Sequence, residues 1–220
     1  MIAKMNYRRQ MDIVSPEQLD RYEFMLIGAG GIGSWSAYIL TKMGVGKITV
    51  FDHDIVKPHN LPSQAYRLQD VGQKKVAALG SICSESTGVH IVEVGQKFVD
   101  QPLSGVVISA VDSMTERIAI WKRVRGNPAI PLYIEARMGG QVGRINTVRP
   151  DNQAQINWYE STLYDSSRAL KLRCTERAIV FNVFSIAGLI ADQVKKFVNG
   201  EDLQWEIVFD LANLMMIKHQ

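Results

Sequence analysis

The stretch Ile27-Gly28-Ala29-Gly30-Gly31-Ile32-Gly33-Ser34 constrains this chain more than any other. An apolar run, Phe24 to Ile27, leads into it, and a helix-patterned run, Trp35 to Met43, follows. A strand that enters a helix through Gly-x-Gly-x-x-Gly brings the backbone close to a phosphate chain and aims free amides at it. The stretch therefore predicts a nucleotide cradle. Alone, it leaves open which chemistry the nucleotide serves.

The neighbouring sequence completes a βαβ unit. Ser15-Pro16-Glu17 reads as an N-cap with proline at the first helical position, opening a short helix to about Tyr22. Strand Phe24 to Ile27, a helix to Met43 stopped by Gly44 and Gly46, and strand Lys47 to Phe51 ending at Asp52 come next. His53 to Asp70 is polar and broken by Pro58 and Pro62, so it reads as a long loop at the carboxyl end of a strand, where such loops are commonly functional. Val71 to Ser86 and Met114 to Val124 read as helices, and Val89 to Val94, Val106 to Ser109 and Ile130 to Ala136 as strands. Gly139 to Val148 alternates with no helix between, which predicts antiparallel strands added to a parallel sheet. Residues 150–174 read as a crossing loop carrying Trp158, Tyr159 and Tyr164. A long helix over about Glu176 to Asn199, closed by Gly200, and a strand over Trp205 to Phe209 finish the pattern.

With 220 residues, 46% of them apolar and 21% charged, the chain is expected to form one domain over 1–220. The excess of 25 basic over 22 acidic residues is small and scattered, which argues against nucleic acid as a partner. Phe24 to Thr41 is uncharged, but its glycines divide it into strand and helix, so no membrane insertion is expected. Two separated cysteines, Cys83 and Cys174, make neither a disulfide framework nor a Cys-x-x-Cys zinc pair, and fit a reducing, cytoplasmic setting. The histidines share no ligand spacing.

Beyond the cradle, Asp52 sits about 20 residues past its last glycine, where a ribose hydroxyl would be gripped. A dehydrogenase would show this too. It would not need the series that follows: Asp52-His53-Asp54-Ile55-Val56, Asn60-Leu61-Pro62-Ser63-Gln64, Asp70-Val71-Gly72-Gln73-Lys74-Lys75, and Val111-Asp112-Ser113 with Arg117 beyond. With Tyr7-Arg8-Arg9-Gln10 at the start, these motifs resemble the ubiquitin-activating-enzyme-like family, also called the ThiF, MoeB and HesA family, from about Tyr7 to about Gly200.

The resemblance implies an α/β fold: a Rossmann-like, mostly parallel sheet extended by antiparallel strands, with helices on both faces. It implies ATP-dependent, magnesium-dependent adenylation of the C-terminal carboxylate of a small ubiquitin-like or sulfur-carrier protein ending in Gly-Gly. Gly28, Gly30, Gly31 and Gly33 would cradle phosphate, with Asp52, Asp54, Asn60 and Gln64 around the nucleotide. Attack of a carboxylate on the α-phosphate joins two anions and needs cations. Lys75 is the matched cation, Asp112 the matched magnesium ligand, and Arg9 matches an arginine that relatives insert into a partner subunit's site, implying a homodimer.

Two departures stand out. Ser63 replaces the arginine of Asn-Leu-x-Arg-Gln, with Arg67 a candidate substitute, and the zinc-binding Cys-x-x-Cys pairs of many relatives are absent. Cys174, before the last long helix, stands where relatives place a cysteine that takes the activated carboxyl group as a thioester or engages in sulfur transfer; its bland reading is a small buried hydrophobe. Cys83 reads as core, Arg117 as an ion-pair partner, and the loop aromatics either as a groove for the partner's tail or as packing against the sheet. The rival readings are a same-fold enzyme acting on a peptide or a modified tRNA nucleoside, an inactive scaffold subunit, and a nicotinamide-dependent oxidoreductase resting on the glycines and Asp52 alone.

Overall fold

Strands covered on both faces read as unbroken apolar runs, and the chain's central strands follow that rule. The computed structural model describes residues 5–164 and 178–219. In it β1 (Phe24–Ile27), β2 (Ile48–Phe51), β3 (Val92–Val94), β4 (Val106–Ser109) and β5 (Leu132–Gly139) pair in parallel, in the order β3-β2-β1-β4-β5. The hairpin partner β6 (Val142–Val148), then β7 (Glu206–Asp210) and β8 (Met215–His219), extend the sheet antiparallel to eight strands.

Strand alternation sends side chains to two cores. On one face α2 (Gly31–Met43), α3 (Lys75–Thr87) and α6 (Val180–Asn199) bury Leu40, Leu79, Ile186 and Ile190 against Leu26, Val50, Ile108 and Ile134. On the other, α4 (Met114–Val124) and α5 (Gln153–Ser161) bury Ile120, Trp121, Ile156 and Tyr159 against Ile27, Val107 and Tyr133. The expected α/β architecture, with helices on both faces of a mostly parallel sheet, is the one observed. Cys83 lies in the first core, its thiol pushed up to about 11 by burial.

Local chemistry explains the element ends. Ser15 and Gln18 form a reciprocal capping box that starts α1 (Pro16–Leu19), and Gly44, at φ 108°, ends α2 in the left-handed conformation. The expected helix over 71–86 starts only at Lys75, because Gly72 turns at φ 90° and Lys74, still extended, bridges to Ile55.

The crossing loop over 150–174 needs correction. Its first part is α5: the Asn152 side chain accepts the Gln155 amide, and the helix buries Gln155, Ile156 and Tyr159 on one side. Tyr159 is an interior residue, edge-on to Trp121 and Tyr133, so it does not line a groove for a tail. Residues 165–174 lie outside the described residues. The last long helix begins at Val180 rather than near 176, and the exposed edge strand β8 was not anticipated from the sequence.

Candidate active site

Between β1 and β4 the strand order reverses, and the carboxyl edge at such a switch point is where sheets of this kind hold their ligands. The glycine turn follows β1. Gly28, at φ 96°, donates its amide to the Phe51 carbonyl at 2.8 Å, and a Cβ there would sit 2.7 Å from the Ala110 carbonyl oxygen. A Cβ on Gly33 would collide with the Gly28 carbonyl. These two glycines serve close packing. Among the described residues Gly30 has nothing within 4 Å of its Cβ position, and Gly31 would make only ordinary contacts with Val183 and Ser63. Open space therefore lies over the start of α2, which has no side-chain cap, and the amides of its first turn are left for an anion.

Asp52, at the end of β2, closes one side. Its Oδ2 accepts the Ala29 amide at 2.7 Å and its Oδ1 the Asp54 amide at 2.8 Å, so its carboxylate is locked in orientation beside the cradle. Lys75 is buried, and its Nζ donates to Asp54 Oδ2 at 2.7 Å; that hydrogen bond holds the Asp54 carboxyl below its ordinary range. Asp52, His53 and Asp54 also form a compact set of potential metal-binding atoms. Their carboxylates are already committed to backbone amides and to Lys75, whereas Asp112 has a carboxylate that could hold a metal ion. Asp112 is exposed in the loop after β4 and makes no hydrogen bond or ion pair among the described residues. Magnesium at phosphate sites is commonly held by one or two carboxylates and the phosphates themselves, and a single free carboxylate suits that.

The loop from 57 to 66 folds down on the cradle. The Trp35 indole donates to the Ser63 carbonyl at 3.1 Å, the Ala65 amide to Ser34 Oγ at 3.1 Å, and the Tyr66 hydroxyl to the Ala29 carbonyl at 2.7 Å. Asn60 is buried and its Oδ1 accepts the Lys57 amide, so it orders the loop. Gln64 Oε1 is buried with no partner among the described residues, an acceptor that a bound ligand's donor would satisfy. Arg67 does not fill the gap left by Ser63: its guanidinium is committed to Asp70 and Glu85.

Arg117 is the ion-pair partner that the sequence suggests. It contacts Glu135, which is fully buried on β5, and donates to the carbonyls of Val111 at 2.7 Å and Ala136 at 3.2 Å. Glu135 and Arg137 escaped the sequence reading. The only signal was charge at alternate positions of an otherwise apolar strand. Arg9 is exposed and stands apart from the cradle, because its neighbour Gln10 donates to the carbonyl of Met43 at the far end of α2. Cys174 lies outside the described residues.

Residues 7–215 match the ThiF family model. The chain is 30% identical over 166 residues to ubiquitin-like modifier-activating enzyme 5 of Drosophila melanogaster, covering 72% of this chain and 38% of that protein. It is 33% identical over 157 residues to tRNA threonylcarbamoyladenosine dehydratase of Escherichia coli, covering 67% of this chain and 55% of that protein. It therefore spans roughly half the length of these relatives or less. Among solved structures, E. coli MccB with AMPCPP and MccA superposes with a TM-score of 0.75 at 18% identity, covering 93% of this chain and 65% of that one. PaaA superposes with a TM-score of 0.74 at 20% identity, covering 97% and 68%.

Proposed function

The chain belongs to the ThiF family, and from that premise we propose that it is an ATP-dependent adenylyltransferase acting on the C-terminal carboxylate of a small ubiquitin-like or sulfur-carrier protein ending in Gly-Gly. The observation that carries this reading is the open position over Gly30 at a helix start with no side-chain cap, flanked by buried Lys75 and exposed Asp112. The relative that activates a ubiquitin-like modifier, and the fold shared with an enzyme crystallised with an ATP analogue, support it.

Bound ATP and Mg2+ supply a polarised α-phosphate and a pyrophosphate leaving group. The chain's residues do the rest. Amides of the first turn of α2 receive phosphate oxygens, Asp52 orients the ribose, and Gln64 Oε1 accepts from the nucleotide. Lys75 offsets the charge that builds up when carboxylate and phosphate meet, and Asp54, its counter-ion in this structure, keeps the ammonium in place until then. Asp112 would hold the metal. Arg9 acts in a homodimer, from one subunit into the other, and Cys174 is the acceptor of the activated carboxyl group: its thiol loses its proton, attacks the acyl carbon of the adenylate and forms a thioester as the acyl–phosphate bond breaks and AMP leaves. The setting is cytoplasmic. No described helix is long and apolar enough to cross a membrane.

ATP–pyrophosphate exchange by the purified chain tests the reading. Exchange should appear when a Gly-Gly-terminated carrier protein is added and should vanish in Asp112→Ala. The tRNA dehydratase relative favours a second reading, adenylation of a modified tRNA nucleoside, and exchange stimulated by tRNA alone would select it. No exchange with either would point to a scaffold subunit, and tight NADH binding without ATP binding to the oxidoreductase.

A further inference from the structure

We propose that Glu135, with Arg117 and Arg137 paired to it, is a positioning strut that sets the loop carrying Asp112 against the last turn of α5; the proposal builds on the adenylyltransferase reading. A fully buried carboxylate is costly, and apolar replacements of buried ion pairs are often as stable or more so. Glu135 therefore calls for a role beyond stability. It accepts from Arg137 Nε at 2.9 Å and from Asn146 Nδ2 at 2.6 Å, and it pairs with Arg117.

Each arginine uses its remaining donors on backbone at a different place. Arg117 reaches the Val111 carbonyl, one residue before Asp112, and ties it to Ala136 on β5. Arg137 reaches the Thr162 carbonyl at 2.9 Å and the Thr162 hydroxyl at 3.0 Å, and Thr162 is the residue that caps the end of α5. The planar fork of arginine can hold a carboxylate and a carbonyl at once, which the single ammonium of lysine does less well. Buried Tyr159 lies beside Arg137, its hydroxyl pushed up by burial and so neutral, and adds no second negative charge. One carboxylate thus joins two guanidiniums whose other ends fix the loop after β4 and the end of α5. The role of Glu135 is to hold Asp112 where a metal ligand must stand, acting through Arg117.

The test measures AMPCPP binding by calorimetry at increasing Mg2+, together with amide hydrogen exchange, in the full chain. Arg117→Lys should raise the Mg2+ needed for half-maximal binding about tenfold, as loss of outer-shell partners of metal ligands does, while metal-free AMPCPP affinity stays within about twofold. Exchange should quicken at the bonded amides that flank the loop, Ala110 and Glu116. Arg137→Lys should quicken exchange at Thr162 and Leu163 and leave Ala110 and Glu116 as in the wild type. Glu135→Gln should do both; if it fails to fold, the two lysine variants, which keep the charge, still decide. The strut is overturned if Arg117→Lys lowers metal-free and Mg2+-dependent affinity in step, or leaves exchange at Ala110 and Glu116 unchanged. A wild-type chain that binds no AMPCPP overturns the adenylyltransferase reading instead, and the strut is then judged on exchange alone.

Discussion

At the scale of single residues, the four cradle glycines separate into two jobs, and substitution distinguishes them. Gly33→Ala drives a methyl group into the Gly28 carbonyl and should cost several kcal/mol or prevent folding. Gly30→Ala meets nothing among the described residues, so its melting temperature should stay near wild type while AMPCPP affinity falls at least tenfold, read by calorimetry. Lys75 and Asp54 give a second prediction. The folded-state carboxyl of Asp54 titrates below its usual 3.8, so the pair stabilises the fold in full above that value and loses the contribution as pH falls through the lowered one. Asp54 is about half exposed, its side chain 52% accessible, so solvent screening keeps the effect below about 1 kcal/mol. Denaturant titration of Asp54→Asn should show that deficit at pH 6 and show it shrinking as the pH falls below 3.8. The cradle and Asp52 were legible in the sequence because spacing alone carries their chemistry. Glu135 and Arg137 were not: their partners, Asn146 and Thr162, are brought to them only by the β5–β6 hairpin and α5.

Among the elements, those whose ends are set by local chemistry could be read and those set by tertiary packing could not. Phe24–Ile27, Val106–Ser109 and Met114–Val124 coincide with their apolar patterns. At α5, by contrast, the polar cap Asn152 and then Gln153 and Gln155 precede buried apolar residues that number only two, Ile156 and Tyr159, too few to register as a period. The strand β8 has all five residues exposed and exists through pairing with β7, which leaves no alternating pattern to find. Helix caps offer a test of how closely element ends and site are linked. Ser15 Oγ accepts the Gln18 amide at 3.3 Å, and Ser113 Oγ accepts the Glu116 amide at 3.1 Å. Losing either cap should cost about 1 kcal/mol in denaturant unfolding. Ser113, however, adjoins Asp112, so Ser113→Ala should also raise the Mg2+ requirement of AMPCPP binding several-fold, whereas Ser15→Ala should leave it unchanged.

At the scale of the whole molecule, the position of Arg9 decides what the active unit must be if the arginine acts at all. The Gln10 side chain donates to the Met43 carbonyl at 2.7 Å, which fixes the 7–14 segment to the end of α2. The cradle lies at the other end of that 13-residue helix, about 20 Å away at 1.5 Å per residue. An arginine side chain spans about a third of that distance, so Arg9 cannot reach the phosphates of its own subunit without this segment leaving α2. In a two-fold dimer the same arginine would serve the partner's cradle, and each site would draw residues from both chains. Complementation follows from that arrangement. Arg9→Ala and Asp112→Ala homodimers should each lack ATP–pyrophosphate exchange. When they are co-expressed at equal amounts, half the dimers are mixed, and in each of these one of two sites pairs an intact Arg9 with an intact Asp112. About a quarter of wild-type exchange should return. If Arg9 worked within its own chain, no mixed site would be whole and nothing would return; full exchange by Arg9→Ala alone would remove Arg9 from the mechanism.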